Sequence, residues 1–172
     1  MPAASRWISA LVIAALPPVS FAQGVKPATP STQAAQERVS QSLPFSDTQD
    51  FEDARRGLIA PLPDNGVIRA ADGRITWNLP RFQFASGEQA PTTVNPSLWR
   101  MMRLLSITGL FQVTPRIYQV RGADLSNITF IEGDRGVIVV DPCISAESAR
   151  AGMDLYRKHR GAKEVVAVVI TH

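Results

Sequence analysis

Two apolar runs with an amphipathic segment between them dominate the last third of the chain. Residues 137–140 and 165–170 are apolar throughout, and both runs have the length and the β-branching of a buried strand. Between them, Ser145 is a predicted helix N-cap and Gly161 a predicted helix exit. The apolar positions of this segment recur at helical spacing: Ala146, Ala149, Met153 and Tyr156. Strand, helix and strand in this order predict a right-handed crossover that joins two parallel strands.

The segments just before this unit predict an antiparallel pair of strands. Residues 117–120 begin the β-rich part, and residues 127–132 alternate between apolar and polar positions. Residues 133–136 (GDRG) form a turn signal, after which the chain returns through residues 137–140. Because the returning run is apolar throughout, it is predicted to lie in the interior of the sheet. The predicted fold class is α/β, with helices layered on a sheet.

The upstream half predicts a short helix and a hairpin. Residues 47–56 predict a helix that Asp47 caps, with acidic residues early and arginines late, as the helix dipole favours. Residues 67–69 and 74–77 then bracket the Asp72-Gly73 dipeptide. An Asp-Gly pair between β-forming residues is a strong hairpin signal.

A second upstream helix follows a proline-containing stretch. Residues 79–84 (LPRFQF) predict an extended loop, and Ser97 is the predicted N-cap of a helix that Gly109 ends. The apolar face of this helix is predicted to lie in the core: Leu98, Met101, Met102 and Leu105.

The N-terminus has the layout of a secretory signal. Arg6 precedes an apolar run over residues 7–16, which is shorter than the roughly 20 residues that span a bilayer. The small residues of the Ser20-Phe21-Ala22 sequence predict cleavage after Ala22. We therefore expect a mature chain without a transmembrane span, located in the periplasm or secreted. An uncleaved anchor or a buried helix is the alternative.

Four segments follow from these patterns. Residues 1–22 are the predicted signal peptide, and residues 23–46, rich in Pro, Ser, Thr and Ala without an apolar period, predict a flexible linker. Residues 47–114 form an N-terminal segment with helices and a hairpin. Residues 115–172 begin the β-rich domain.

Composition narrows the possible functions. The 172 residues are 45% hydrophobic and 19% charged, as in globular proteins. The net charge is +3 and there is no dense Lys/Arg block, so nucleic acid is not an expected partner. Cys143 is the single cysteine, so the chain has no internal disulfide. A small loop residue is the favoured interpretation of Cys143, with a metal ligand or a nucleophile as the alternative.

Two polar residues follow the two predicted parallel strands. Ligands of open α/β sheets gather at the carboxyl ends of the strands, where Asp141 and His172 would share one cleft. An imidazole suits zinc, and a nearby carboxylate can ligate the metal or orient a ligand. The alternatives are a turn residue for Asp141 and a terminal residue without function for His172. His159 is predicted to lie on a solvated helix end.

Several segments together resemble a known family. They are GADLSNITFIEGDRGVIVVDP, LYRKHRG and VVAVVITH, with DFEDARRGLIA, TVNPSLWR and GLFQVTPRIYQV upstream. They resemble the secreted alkyl sulfatases of the metallo-β-lactamase fold over roughly residues 47–172. The resemblance implies the N-terminal part of an αββα sandwich and a T-H-x-H-x-D-H motif that binds two zinc ions. Thr171 and His172 match its first two residues, so His172 is the implied first metal-binding histidine.

The resemblance also implies supporting residues, a substrate and a partner. Asp141 would support the metal site without binding metal, and Ser126 and Asn127 match a loop near the cleft. The implied reaction is zinc-dependent hydrolysis of primary alkyl sulfates, of the dodecyl sulfate type, by a homodimer. The chain is expected to be an N-terminal fragment that stops at His172 and is inactive and poorly folded alone. A metallo-β-lactamase-fold hydrolase of another substrate and a non-catalytic exported fragment are the alternatives.

Overall fold

A six-stranded sheet forms the centre of the fold in the computed structural model, which describes residues 26–171. Its strands are β1 (Leu58–Ala60), β4 (Gly109–Thr114), β5 (Ile117–Arg121), β6 (Ile128–Glu132), β7 (Val137–Val140) and β8 (Val165–Val169), in the spatial order β1-β4-β5-β6-β7-β8. A separate hairpin pairs β2 (Val67–Arg69) with β3 (Ile75–Asn78). The helices are α1 (Pro30–Ser42), α2 (Gln49–Arg55), α3 (Pro96–Leu105) and α4 (Ala146–Arg160).

The pairing of the last strands agrees with the prediction. β6 and β7 are antiparallel, with Thr129 opposite Val140, and β7 and β8 are parallel, with Val139 opposite Val168. β7 therefore lies between two neighbours inside the sheet, as its apolar sequence predicted. The hairpin around Asp72-Gly73 is also confirmed, since Gly73 adopts a φ of 85° in its turn.

One face of the sheet is buried under α4. Alternate residues of β5, β6 and β7 are buried on that face and half-buried on the other. Tyr156 of α4 stacks on Phe130 with ring centroids 4.2 Å apart, and Gly152 lets the helix approach Ile128. Ser145 caps α4 by accepting the Ser148 N–H, as predicted. The burial and the parallel crossover confirm the α/β fold class.

The segment predicted as a flexible linker contains a helix. Residues 1–25, including the predicted signal peptide, lie outside the described residues. From Pro30, however, the chain forms α1, because the Thr29 side chain accepts the Thr32 N–H and proline suits the first turn. This part of the predicted linker is therefore helical, and its flexibility stays a prediction. No residue of α1 is buried, and its sequence lacks the regular spacing of apolar residues from which a helix is predicted.

Two helix starts differ from the predictions. α2 begins at Gln49 after Thr48, although Asp47 still accepts the Gln49 N–H at 2.9 Å. The N-cap of α3 is Asn95 rather than Ser97, because the Asn95 side chain accepts the backbone N–H of Ser97 at 2.9 Å. The predicted extended loop at residues 79–84 is instead part of a 3-10 helix, Leu79–Ser86.

Three of the four residues predicted for the core on α3 are exposed, and the fourth, Met102, is half-buried. Leu98, Met101 and Leu105 are more than half exposed. Arg100 of α3 contacts α2. Its guanidinium binds the Asp50 carboxylate at 2.6 Å and lies 4.9 Å from the centre of the Phe51 ring. This ion pair joins α3 to α2, and the buried residue of α3 is Trp99. Helical spacing alone did not predict this inward side.

The predicted burial of β8 was also wrong. Val166, Val168 and Val169 are about half exposed and Ile170 is 71% exposed. β8 is the last strand of the described sheet, so one of its edges has no partner strand among residues 26–171. No helix in that part of the chain is both long and apolar enough to cross a membrane.

Candidate functional site

Polar groups that follow two parallel strands, β7 and β8, meet at one edge of the sheet. β5, β7 and β8 run in the same direction, so their carboxyl ends share this edge, where β6 begins. Asp141 follows β7 and Thr171 follows β8. The Asp141 carboxylate accepts the Thr171 backbone N–H at 2.8 Å with Oδ1 and the Thr171 hydroxyl at 2.7 Å with Oδ2. The carboxylate thus holds the residue that immediately precedes His172.

The chain leaves β7 through a strained turn. Asp141 and Cys143 have φ values of 51° and 62°, a region that residues other than glycine rarely adopt. The Cys143 N–H donates to the Asp141 carbonyl at 2.7 Å, and the Asp141 N–H donates to the Val169 carbonyl at 2.9 Å. Strain of this kind is often found where a side chain must be aimed at a partner. Here it aims the Asp141 carboxylate at Thr171.

The loop over residues 122–127 lies beside this turn. Thr129 pairs with Val140, so the antiparallel register brings Asn127 next to the segment that follows Asp141. Ser126 is half-buried and Asn127 is exposed. Both residues predicted for the cleft loop are therefore at the same edge as Asp141, and their role in binding stays a prediction.

Asp124 was not identified by the sequence analysis. Its Oδ2 accepts the Ile144 N–H at 2.9 Å, and its Oδ1 accepts the N–H of Leu125 at 2.6 Å. It connects the 122–127 loop to the turn after β7 across 20 residues of sequence. An aspartate in a loop is a common turn residue, and only the strand order brings Asp124 to Ile144.

Cys143 has the features of a structural thiol. It packs against the buried core. Burial, and secondarily the negative charge of Asp124, raises the pKa of the Cys143 thiol to about 11. A reactive cysteine needs the thiolate form, which a raised pKa disfavours. This supports the interpretation of Cys143 as a small loop residue over that of a nucleophile.

The two histidines of the sequence have different positions. His159 is exposed in the last turn of α4, as predicted. His172 lies outside the described residues, so its metal-binding role stays a prediction. A catalytic zinc site uses about three protein ligands. Residues 26–171 contain no group of three His, Cys, Asp or Glu side chains that could hold a metal ion. The described part does not form a complete metal centre.

The carboxylate of Glu132 is buried at the other end of the strands from Asp141. It accepts hydrogen bonds from the Tyr156 hydroxyl at 2.9 Å and from Arg160 Nε at 3.1 Å, and it pairs with Lys163 at 3.0 Å. Burial alone would raise the pKa of Glu132, but the hydrogen bonds from Arg160, Lys163 and Tyr156 outweigh it and lower the pKa to about 2. This network fastens α4 to the sheet.

Comparisons with known proteins found relatives of similar sequence and fold. A family model described as "Metallo-beta-lactamase superfamily" matches residues 121–172. An (R)-specific secondary-alkylsulfatase from Pseudomonas sp is 48% identical over 147 residues, which cover 86% of this chain and 22% of the relative. A linear primary-alkylsulfatase from Pseudomonas sp is 49% identical over 152 residues, which cover 88% and 22%. The solved structure of the stereoselective inverting sec-alkylsulfatase Pisa1 from Pseudomonas sp. matches with a TM-score of 0.75 and 49% identity, over 83% of this chain and 22% of that one.

The chain belongs to the alkylsulfatases of the metallo-beta-lactamase superfamily. The resemblance stated from the sequence, including its upstream segments, is confirmed by relatives that match nearly nine-tenths of the chain. The chain spans about a fifth of the length of the curated relatives that it matches. Alkylsulfatases are hydrolases of sulfuric esters, and their superfamily typically binds metal ions.

Proposed function

We propose that this alkylsulfatase chain is part of an enzyme that hydrolyses alkyl sulfate esters to an alcohol and sulfate. The single observation that carries the proposal is the contact between the Asp141 carboxylate and Thr171, at the carboxyl edge of two parallel strands. That contact fixes the backbone of Thr171, the residue that precedes His172. The alkylsulfatase relatives support the choice of a sulfate ester over another hydrolase substrate.

We propose zinc as the metal of this enzyme, with two ions per site and His172 as one ligand. Imidazole is a preferred zinc ligand, and the further ligands would come from other segments of the protein. A bound zinc ion supplies a polarised ester oxygen and a water of lowered pKa. Among the described residues, Asp141 holds Thr171. In this proposal the loop with Ser126 and Asn127 would form a wall of the cleft.

Primary alkyl sulfates of the dodecyl sulfate type are the proposed substrates. The linear primary-alkylsulfatase and the (R)-specific secondary-alkylsulfatase are 49% and 48% identical to this chain. A difference of one percentage point does not separate the two substrate classes. Secondary alkyl sulfates are therefore the second candidate, and the two must be compared directly.

Export and dimerisation complete the proposal. The Arg6 n-region, the apolar run over residues 7–16 and the small residues before the bond after Ala22 support export to the periplasm or beyond. The enzyme would act there as a homodimer. N-terminal sequencing of the exported protein tests the cleavage site, and sedimentation tests the dimer.

The decisive experiment measures sulfate release by the purified complete enzyme of which this chain is a part, because residues 26–171 do not form a complete metal centre. Dodecyl sulfate and a secondary alkyl sulfate are supplied separately, before and after a chelator, and zinc is then added back. We expect release from dodecyl sulfate that the chelator abolishes and zinc restores. His172→Ala should abolish release, whereas the matched variant His159→Ala, on the exposed end of α4, should leave it unchanged.

Three outcomes would each contradict a different part of the proposal: the ligand, the substrate or the catalytic activity. Release that survives His172→Ala would remove His172 from the site. Faster release from the secondary ester would move the substrate to the second candidate. No release of sulfate from either ester, by the folded and zinc-loaded protein, would favour a non-catalytic exported protein.

A further inference from the structure

The turn that presents Asp141 needs an external anchor. Two of its residues, Asp141 and Cys143, have positive φ values, and an L residue outside a fixed context relaxes from that region. The hydrogen bond from Cys143 to the Asp141 carbonyl lies within the turn itself. It closes the turn but does not tie its far end to the rest of the fold.

The Asp124 carboxylate ties the far end of the turn to the 122–127 loop, in addition to the packing of Cys143 against the core and the Ser145 cap of α4. Its Oδ2 accepts the Ile144 N–H at 2.9 Å, just after the strained positions. Its Oδ1 accepts the Leu125 N–H at 2.6 Å, which fixes the orientation of the carboxylate. Ile144 is 70% exposed, so apolar packing contributes little to holding this residue. A charged acceptor makes the stronger kind of hydrogen bond to a backbone donor.

The loop that carries Asp124 is itself fixed by the N-terminal hairpin. Trp77 of β3 donates its indole N–H to the Gly122 carbonyl at 2.8 Å. Gly122 has a φ of 83°, and a Cβ there would lie 2.3 Å from the Thr108 side chain. Glycine is required at this position both by its conformation and by the close approach. Asp124 therefore extends from a rigid support and not from a free loop.

We propose that Asp124 is a positioning residue of the site, which fixes the turn over residues 141–144 so that Asp141 binds Thr171. The inference rests on the proposed function, in which the chain after Thr171 supplies the ligand His172. Asp124 touches neither substrate nor metal in this proposal. Its effect passes through the backbone of Ile144 to Asp141 and from there to Thr171.

Two variants of Asp124 test the proposal. Asp124→Ala removes both acceptor oxygens, while Asp124→Asn keeps the shape and one acceptor and should rescue part of the effect. The matched control is Asp134→Asn, at the opposite edge of the sheet, where the carboxylate is 91% exposed and pairs with Arg116. All measurements use the purified, full-length protein.

Three readouts distinguish positioning from a general loss of stability. In Asp124→Ala we expect kcat for dodecyl sulfate to fall about tenfold with KM changed less than about twofold. Amide hydrogen exchange at Thr171 should rise about tenfold, because its N–H loses a well-placed acceptor. Alkylation of Cys143 at pH 8, followed by peptide mass spectrometry, should also rise about tenfold, since less charge and a looser turn favour the thiolate.

The outcomes decide the proposal without ambiguity. Unchanged exchange at Thr171 in both Asp124 variants would overturn it, whatever happens to kcat. Faster exchange with an unchanged kcat would also overturn it, because the site would then not depend on the turn. If the unmodified protein releases no sulfate from any alkyl ester, the proposed function fails on its own. The positioning of Thr171 is then decided by exchange and alkylation.

Discussion

Asp141 and Thr171 face each other across the ends of two parallel strands, and both carboxylate oxygens of Asp141 accept a hydrogen bond from Thr171. One bond goes to the backbone and one to the hydroxyl, so the carboxylate fixes the main chain and the rotamer together. The segment that begins at Thr171 therefore enters the next part of the fold from a defined position. This relationship is the basis of the first prediction.

Thr171→Val removes the hydroxyl bond and keeps the side-chain shape, whereas Thr171→Ser keeps the hydroxyl. We expect kcat/KM to fall about tenfold in Thr171→Val, since a hydrogen bond to a charged group contributes about 1.5 kcal/mol or more. Thr171→Ser should stay within about threefold of the unmodified protein. A double-mutant cycle with Asp141→Asn should give a coupling energy of about 1 kcal/mol. Additive effects of the two substitutions would contradict the contact.

Glu132 should make stability depend on pH in the acid range. Its pKa in the folded protein is about 2, below the ordinary value of 4.5. Its contribution is therefore fully present above pH 4.5 and is lost as the pH falls from 4.5 towards 2. The difference corresponds to about 3 kcal/mol. Urea unfolding at pH 7, 4 and 3 should show this loss in the unmodified protein.

Glu132→Gln provides the matching variant. It should lower the free energy of unfolding by about 3 kcal/mol at pH 7 and flatten the dependence on pH between 4.5 and 2. Asp134→Asn breaks the exposed pair with Arg116 and should change stability by less than about 1 kcal/mol. Equal losses in the two variants at pH 7 would show that burial of Glu132 is unimportant.

Trp77 and Trp99 can be compared to test whether the β2–β3 hairpin supports the site. Trp77→Phe loses the bond to the Gly122 carbonyl, and Trp99→Phe loses a comparable 2.7 Å bond to the Gly87 carbonyl. Each should destabilise the protein by about 1–2 kcal/mol, measured by thermal unfolding. Only Trp77→Phe should also lower kcat, because Gly122 precedes the loop of Asp124. A similar kcat in both variants would argue against this support.

Gly152 allows α4 to lie close to the sheet. A Cβ at this position would lie 2.8 Å from the Ile128 side chain. Gly152→Ala should therefore destabilise the fold by about 1–3 kcal/mol, although alanine favours a helix. Arg150→Ala, at an exposed position of the same helix, should change stability by less than about 0.5 kcal/mol. An increase in melting temperature for Gly152→Ala would contradict the close packing.

Parts of the fold with local signals were predicted correctly from the sequence. The Asp72-Gly73 hairpin, the Ser145 cap, the exit of α4 at Gly161 and the parallel pair of β7 and β8 each depend on residues within one or two elements. β1 and β4 had no such signal. Their pairing joins Leu58 to Phe111, more than fifty residues away, and β4 starts at the glycine that was interpreted only as a helix end.

The candidate site was predicted in part. Asp141 was selected because it follows an apolar strand, and the structure brings it to the end of β8 as expected from the crossover. Asp124 was missed because its partner Ile144 is distant in sequence. Glu132 was missed for the same reason, since Tyr156, Arg160 and Lys163 come from the following helix and loop.

The sequence by itself determined those local elements that carry a hydrophobic period, a cap or a turn residue, together with the crossover and the end of the strands where the polar residues gather, because such signals act over a few positions. The tertiary structure alone decided which face of α3 turns inward, how exposed β8 is, and which carboxylate holds which backbone amide. The exposure of β8 depends on its place at the end of the described sheet, and the other two outcomes depend on contacts between residues that lie tens of positions apart. These contacts form only when the elements that carry them have come together in the fold.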